Sequence, residues 1–232
     1  YPREWDTEPY LGGSYLPHPR PRAAYAAMIT HLDREVGALL DRLEKLGLAE
    51  NTIVMFSSDN GTTWAGGVDY EFFDSTGELS GLKGSVLEGG LRVPFLVRWP
   101  GKVAAGSESD FPSYFPDVFP TVLDLAGLAD DRPHDGHSLL PIFHGGSFDR
   151  TKPLYWEHGD QQALRLGDWK LVRRRLGKKN PATKLFNLKE DPGEKQDLAS
   201  TEPERLQELL EVSRKSRFPS KIFPNPGLDN DR

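Results

Sequence analysis

Two blocks hold the residues best suited to chemistry, SSDNG at Ser57–Gly61 and GLKGSVLEGGLRVPFLVRWPG at Gly81–Gly101. Asp59 and Asn60 offer one anionic and one neutral oxygen, the hard ligands that Ca2+ and Mg2+ take. Calcium uses about six to eight oxygens, so two adjacent residues are half a site at best. Asp69, Glu71, Asp74 and Glu78 follow downstream without the fixed spacing of a calcium loop. SSDNG also reads as a turn, with Asn60-Gly61 as the turn pair and Asp59 as a cap. Lys83 stands in Ser80-Gly-Leu-Lys-Gly84, where small neighbours let backbone and ammonium approach one anion together. A compact ammonium suits a sulfate or phosphate oxygen as a point charge. A solvated surface lysine is the competing reading. Glu88 and Arg92, four residues apart, are expected to form a structural ion pair.

These groups need elements to hold them. From Ala23 to Gly47, apolar residues Tyr25, Met28, Ile29, Leu32, Val36, Leu39, Leu40, Leu43 and Leu46 recur at helical spacing, with Gly47 as the stop. Thr52–Phe56 and Val93–Trp99 read as short, fully buried strands. Asp59 and Asn60 therefore lie just past a strand end, where open α/β sheets collect their chemistry. Thr62–Gly81 is a long connection, and its Trp64, Tyr70, Phe72 and Phe73 favour an ordered, functional loop. A helix is expected over Phe115–Leu128, then an Asp-rich turn at Ala129–Gly136 and a short apolar segment at Leu139–Phe143.

Beyond about His144–Arg150 the pattern changes. Leu154–Glu157, Ala163–Leu166, Trp169–Val172 and Leu185–Leu188 read as antiparallel strands, with Gly167-Asp168 as a hairpin turn. Thr201 and Glu204 match a capping box for a helix bearing Leu206, Leu209 and Leu210. The tail after Arg217 reads as irregular. The expected fold class is α/β: part of a mixed, mostly parallel sheet between helices over 1–145, then a small antiparallel sheet with a terminal helix over 146–232.

Composition closes off other functions. A net charge of −6 without a long basic block argues against nucleic acid. The run Lys170–Lys179, with Arg173, Arg174, Arg175 and Lys178, reads as a solvated hairpin end rather than an anion patch. No stretch approaches the apolar length of a membrane span. Cysteine is absent, which removes disulfides, a thiolate nucleophile and cysteine metal sites. The start YPREWDTEPY has neither an initiator Met nor a signal segment, and reads as a fragment or processed chain.

At these residues the sequence resembles the sulfatase family of the alkaline-phosphatase-like superfamily. AAYAAMITHLDREVGALLDRLEKLGLAENTIVMFSSDNG is similar to the family's unit leading to its metal-binding Asp-Asn. GLKGSVLEGGLRVPFLVRWPG is similar to its lysine loop with the EGGxRVP and WPG signatures. DVFPTVLDLAGL, DGHSLLPIFHG, LYWEHGDQQALRLGDWKLV and LFNLKEDPGEKQDLA extend the likeness over about residues 20–217 in unbroken order.

The resemblance implies that Asp59 and Asn60 are ligands of a divalent cation, most often Ca2+, and that Lys83 holds the sulfate. It implies a hydrolase of aryl or carbohydrate sulfate esters, working through a formylglycine made in a CxPxR or SxPxR motif whose hydrated form attacks sulfur. This sequence contains neither motif. The formylglycine and further metal ligands are thus expected in a missing amino-terminal half, and the chain alone is expected to be catalytically incomplete. Either that half or self-association would cover the severed sheet. A non-catalytic binding module and a phosphoesterase relative are the alternatives. Trp64, Tyr70, Phe72, Trp156 and His158 could meet the ring of a substrate, although core packing competes for the aromatics. A periplasmic or secreted location follows from the resemblance alone.

Overall fold

The computed structural model describes residues 1–129 and 132–229. Helix α1, Pro21–Lys45, starts two residues earlier than its apolar period because Pro21, whose fixed φ suits a first turn, opens it. It ends as the sequence requires: Gly47 takes φ +69°, Leu48 N–H reaches the Leu43 carbonyl and Gly47 N–H that of Glu44. The apolar face of α1 is largely uncovered, with Met28 62% and Leu39 57% exposed.

Strand β1, Val54–Ser57, is followed by the short helix α2, Glu88–Leu91, and strand β2, Phe95–Arg98. The two strands pair antiparallel, from Val54 opposite Arg98 to Ser57 opposite Phe95. Two expectations are corrected here. No parallel pair occurs among the described residues. Nor are β1 and β2 fully buried: Phe56 and Leu96 remain exposed, with no element among the described residues covering that face. The expected helix near residue 115 is a 3-10 turn at Phe115–Asp117 leading into α3, Val118–Leu125; α4 spans Leu140–Phe143. Fully buried Asp117 binds this region together, accepting the Tyr114 and His137 N–H groups and pairing with Arg150. The Asp-rich turn expected at Ala129–Gly136 lies partly outside the described residues.

The second sheet follows its pattern closely. Strands β3 (Leu154–His158), β4 (Gln161–Leu166), β5 (Trp169–Arg174) and β6 (Ala182–Asn187) form an antiparallel meander in chain order. Alternation gives it two buried faces. Leu164, Leu171 and Leu185 meet Leu209 of helix α5, Pro203–Ser216. Ala163, Val172 and Phe186 meet Val86, Leu87 and Leu91 of the lysine block on the opposite face.

That second contact corrects the reading of the basic run. Lys170 shares the inner face with Val172 and is fully buried, and Arg173 is buried on the other side. The capping box is also absent. Pro203 opens α5, leaving Glu202 as its cap without a side-chain bond, while Thr201 Oγ1 donates to the Leu198 carbonyl. The tail contains a further short helix, α6, Pro226–Asp229. No helix among the described residues is long and apolar enough to cross a membrane.

Candidate functional site

Backbone bonds join the two chemical blocks. Gly61 N–H donates to the Gly90 carbonyl at 2.9 Å, Lys83 N–H to that of Thr62 at 2.8 Å and Gly89 N–H to that of Ser80 at 2.7 Å. The end of β1 is thereby laced to the loop that precedes α2. Such close backbone approach requires glycines at 61, 89 and 90, where an added Cβ would overlap carbonyl oxygens of the facing segment.

The joined blocks line a cavity of about 380 Å³ with Tyr25 of α1 and Ser75 and Thr76 of the long loop. Asn60, Lys83 and Arg92 supply its polar and cationic groups, among several hydroxyls. The long loop is ordered as expected. Phe72 and Phe73 pack on Trp5 at 5.4 and 6.0 Å between ring centroids, and Arg22 holds Asp69 at 2.6 Å. The Phe72 N–H, followed by that clamp, keeps the Asp69 carboxyl below the ordinary range.

Asn60 and Lys83 meet at one cavity, whereas Asp59 and His158 are not among its lining residues. Asp59 is exposed and next in the chain to Asn60. Asn60 Nδ2 donates to the Gly61 carbonyl at 2.9 Å, a bond that leaves its amide oxygen available. The pair suits a hard cation in donor chemistry but not in number: among the described residues, no group of three His, Cys, Asp or Glu side chains could hold a metal. His158 is exposed at the end of β3, and a Cβ placed on Gly84 would lie 3.6 Å from its Nε2. It therefore stands beside the lysine loop. Trp156 packs with Tyr114 and the sheet core, the structural fate weighed for it in the sequence.

A buried charge cluster lies beneath the loop. Lys170 Nζ is 2.7 Å from Glu88 Oε1 and 2.9 Å from Glu194 Oε1, all three side chains being almost wholly inaccessible. Glu194 Oε2 also accepts the Glu88 N–H at 2.6 Å. Burial raises the Glu194 carboxyl above its ordinary pKa, with Lys170 opposing the shift. Glu88 thus has Lys170 as its partner, correcting the expected pairing with Arg92, which donates only its backbone N–H to the Glu88 carbonyl. The cluster is not legible in the sequence because Glu194 follows a turn and Lys170 stands among basic neighbours. The signal that could have found Lys170 is the alternation in WKLVRR, which puts it on one face with Val172 and Arg174.

Comparisons with known proteins match these blocks. A family model described as Sulfatase covers residues 2–128, and one described as N-sulphoglucosamine sulphohydrolase, C-terminal, covers 82–215. Steryl-sulfatase of Rattus norvegicus is 44% identical over 126 residues, 53% of this chain and 22% of that protein. Arylsulfatase K of Danio rerio is 32% identical over 83% of this chain and 36% of its own length. The crystal structure of Ps i-CgsB in complex with k-i-k-neocarrahexaose superposes with a TM-score of 0.71 and 30% identity, covering 85% of this chain and 44% of that one. The chain therefore spans less than half the length of these relatives.

Proposed function

This chain belongs to the sulfatase family, and we propose that it supplies the carboxy-terminal share of a sulfate-ester hydrolase centre. The observation that carries this reading is the lacing of the Asp59–Gly61 turn to the Lys83 loop around one cavity. Lys83 contacts a sulfate oxygen and offsets charge that develops there, while Asp59 and Asn60 give two oxygen donors to a divalent cation, most often Ca2+ in this family. Such a cation, when bound, acts as a Lewis acid on a sulfate oxygen. Its other ligands and the formylglycine come from polypeptide beyond these residues, so the chain by itself binds more readily than it turns over.

Titration with inorganic sulfate in the presence of Ca2+ tests the assignment. Lys83→Ala is expected to weaken binding about tenfold or more, the scale of one charge-assisted hydrogen bond. Unchanged affinity would remove Lys83 from the site. Running His158→Ala beside it decides whether that ring touches the ligand or only borders the loop. In the complete enzyme, turnover of 4-nitrophenyl phosphate but not 4-nitrophenyl sulfate would favour the phosphoesterase alternative.

The uncovered apolar surface supports a second proposal, that this chain is completed by further polypeptide or, failing that, by another copy. Met28, Ile29 and Leu32 on α1, Leu96 on β2 and Phe119 and Val122 on α3 are all about half exposed or more. Exposed apolar patches on soluble proteins mark protein–protein interaction sites. The isolated chain is expected to self-associate, and a monodisperse monomer in sedimentation velocity would contradict this.

A further inference from the structure

We propose that Glu88, Lys170 and Glu194 are positioning residues that lock the Lys83 loop to the small sheet. The consequence for sulfate rests on the reading of Lys83 above; the positioning itself does not. Glu88 lies 82 residues before Lys170, yet their charged atoms meet at 2.7 Å. Glu194 completes the lock with one oxygen on the Lys170 ammonium and the other on the Glu88 N–H.

Contacts along the loop run in the same direction. Ser80 Oγ donates to the Gly193 carbonyl at 2.5 Å, Gln161 Nε2 to that of Gly84 at 3.0 Å, and Arg174 to Ser85 Oγ at 3.2 Å. Val86 is fully buried against the inner face of the sheet. The loop is therefore fastened on both sides of Lys83, whose own side chain stays exposed at the cavity. Apolar contacts such as that of Val86 also hold the loop down, but the hydrophobic effect behind them is non-directional. A buried ion triad is no stronger than well-packed apolar residues, and its distinct property is that it satisfies only one register.

Hydrogen exchange of the full chain, read by mass spectrometry, tests this with Glu194→Gln, which keeps the shape and removes one charge. Peptides containing Gly61, Lys83 and Gly89 are expected to exchange about tenfold faster or more, the size of losing one charge-assisted bond. Protection in the β4–β5 ladder should be unchanged. Equal acceleration everywhere would mean loss of general stability, and no acceleration would mean no lock; either result overturns the proposal.

Should Glu194→Gln fail to fold, the neutral combination Glu88→Gln, Lys170→Met and Glu194→Gln removes all three charges of the triad together. With the triad neutral and Asp168 still beside Arg165, it is expected to fold and still exchange faster at the same three places, and parental protection there would overturn the proposal. Inorganic sulfate is titrated alongside. If the parent binds none, the Lys83 reading fails while the exchange pattern still decides the positioning role.

Discussion

Gly61→Ala is expected to destabilise the chain by about 3 kcal/mol, the upper part of the range for overpacking, and to abolish the cavity shared by Asn60 and Lys83. A Cβ at position 61 would overlap the Gly89 carbonyl oxygen and lie 2.8 Å from both Gly89 C and Gly90 Cα. All of these are backbone atoms, which cannot swing aside as a side chain can. Any relaxation must pull the Asp59–Gly61 turn away from α2 and break the Gly61 N–H to Gly90 carbonyl bond. The informative control is Gly37→Ala within α1, where an added Cβ meets nothing within 4 Å. That change should stabilise by about 0.5–1 kcal/mol, the helix-propensity difference between the two residues. Urea unfolding of both variants, with sulfate titration of each, reads the result. If Gly61→Ala unfolds like its parent, the close approach of the two blocks is not what builds the site.

This contrast also shows what was legible in the residues. The meaning of EGG in the second block is steric: Gly89 and Gly90 let α2 lie against carbonyls of its own preceding loop. The four strands of the small sheet could be read because alternation and turn residues are local signals, and the chain obeys them from Leu154 to Asn187. Asn60 and Lys83 could each be singled out by residue type and small neighbours, but their meeting at one cavity depends on the pairing of β1 with β2 and on the backbone bonds from Gly61 and Lys83. What could not be read depended on pairing across distance. The antiparallel sense of β1 and β2 is set by a connection through a long loop and α2, which carries no direction in its composition. The exposed face of α1 has the same apolar period as a covered one, since periodicity reports which side seeks a partner and not whether one is present. The triad was hidden most deeply, its three members being assembled by the fold alone.

Lys170→Met is expected to cost about 3–5 kcal/mol at neutral pH, the usual penalty for removing one partner of a buried charge group. The loss should depend on pH in a sense opposite to common acid denaturation. Glu194 is held above its ordinary pKa of 4.5 by burial, and Lys170 is the principal group opposing that shift. Without the ammonium its folded pKa rises further. A carboxyl whose folded pKa exceeds its unfolded one binds more protons when folded, so its contribution is fully favourable below about 4.5 and is lost as pH climbs through the folded value. The stability gap between parent and variant should therefore be small near pH 4.5 and widen toward neutrality. Denaturant unfolding of the two proteins across that range measures the gap directly. Adding Glu88→Gln and Glu194→Gln to Lys170→Met should flatten the pH dependence and return much of the stability, because no buried charge then lacks a partner. A gap that stays constant with pH would place the cost of Lys170→Met in packing, and the carboxylates would not be its source.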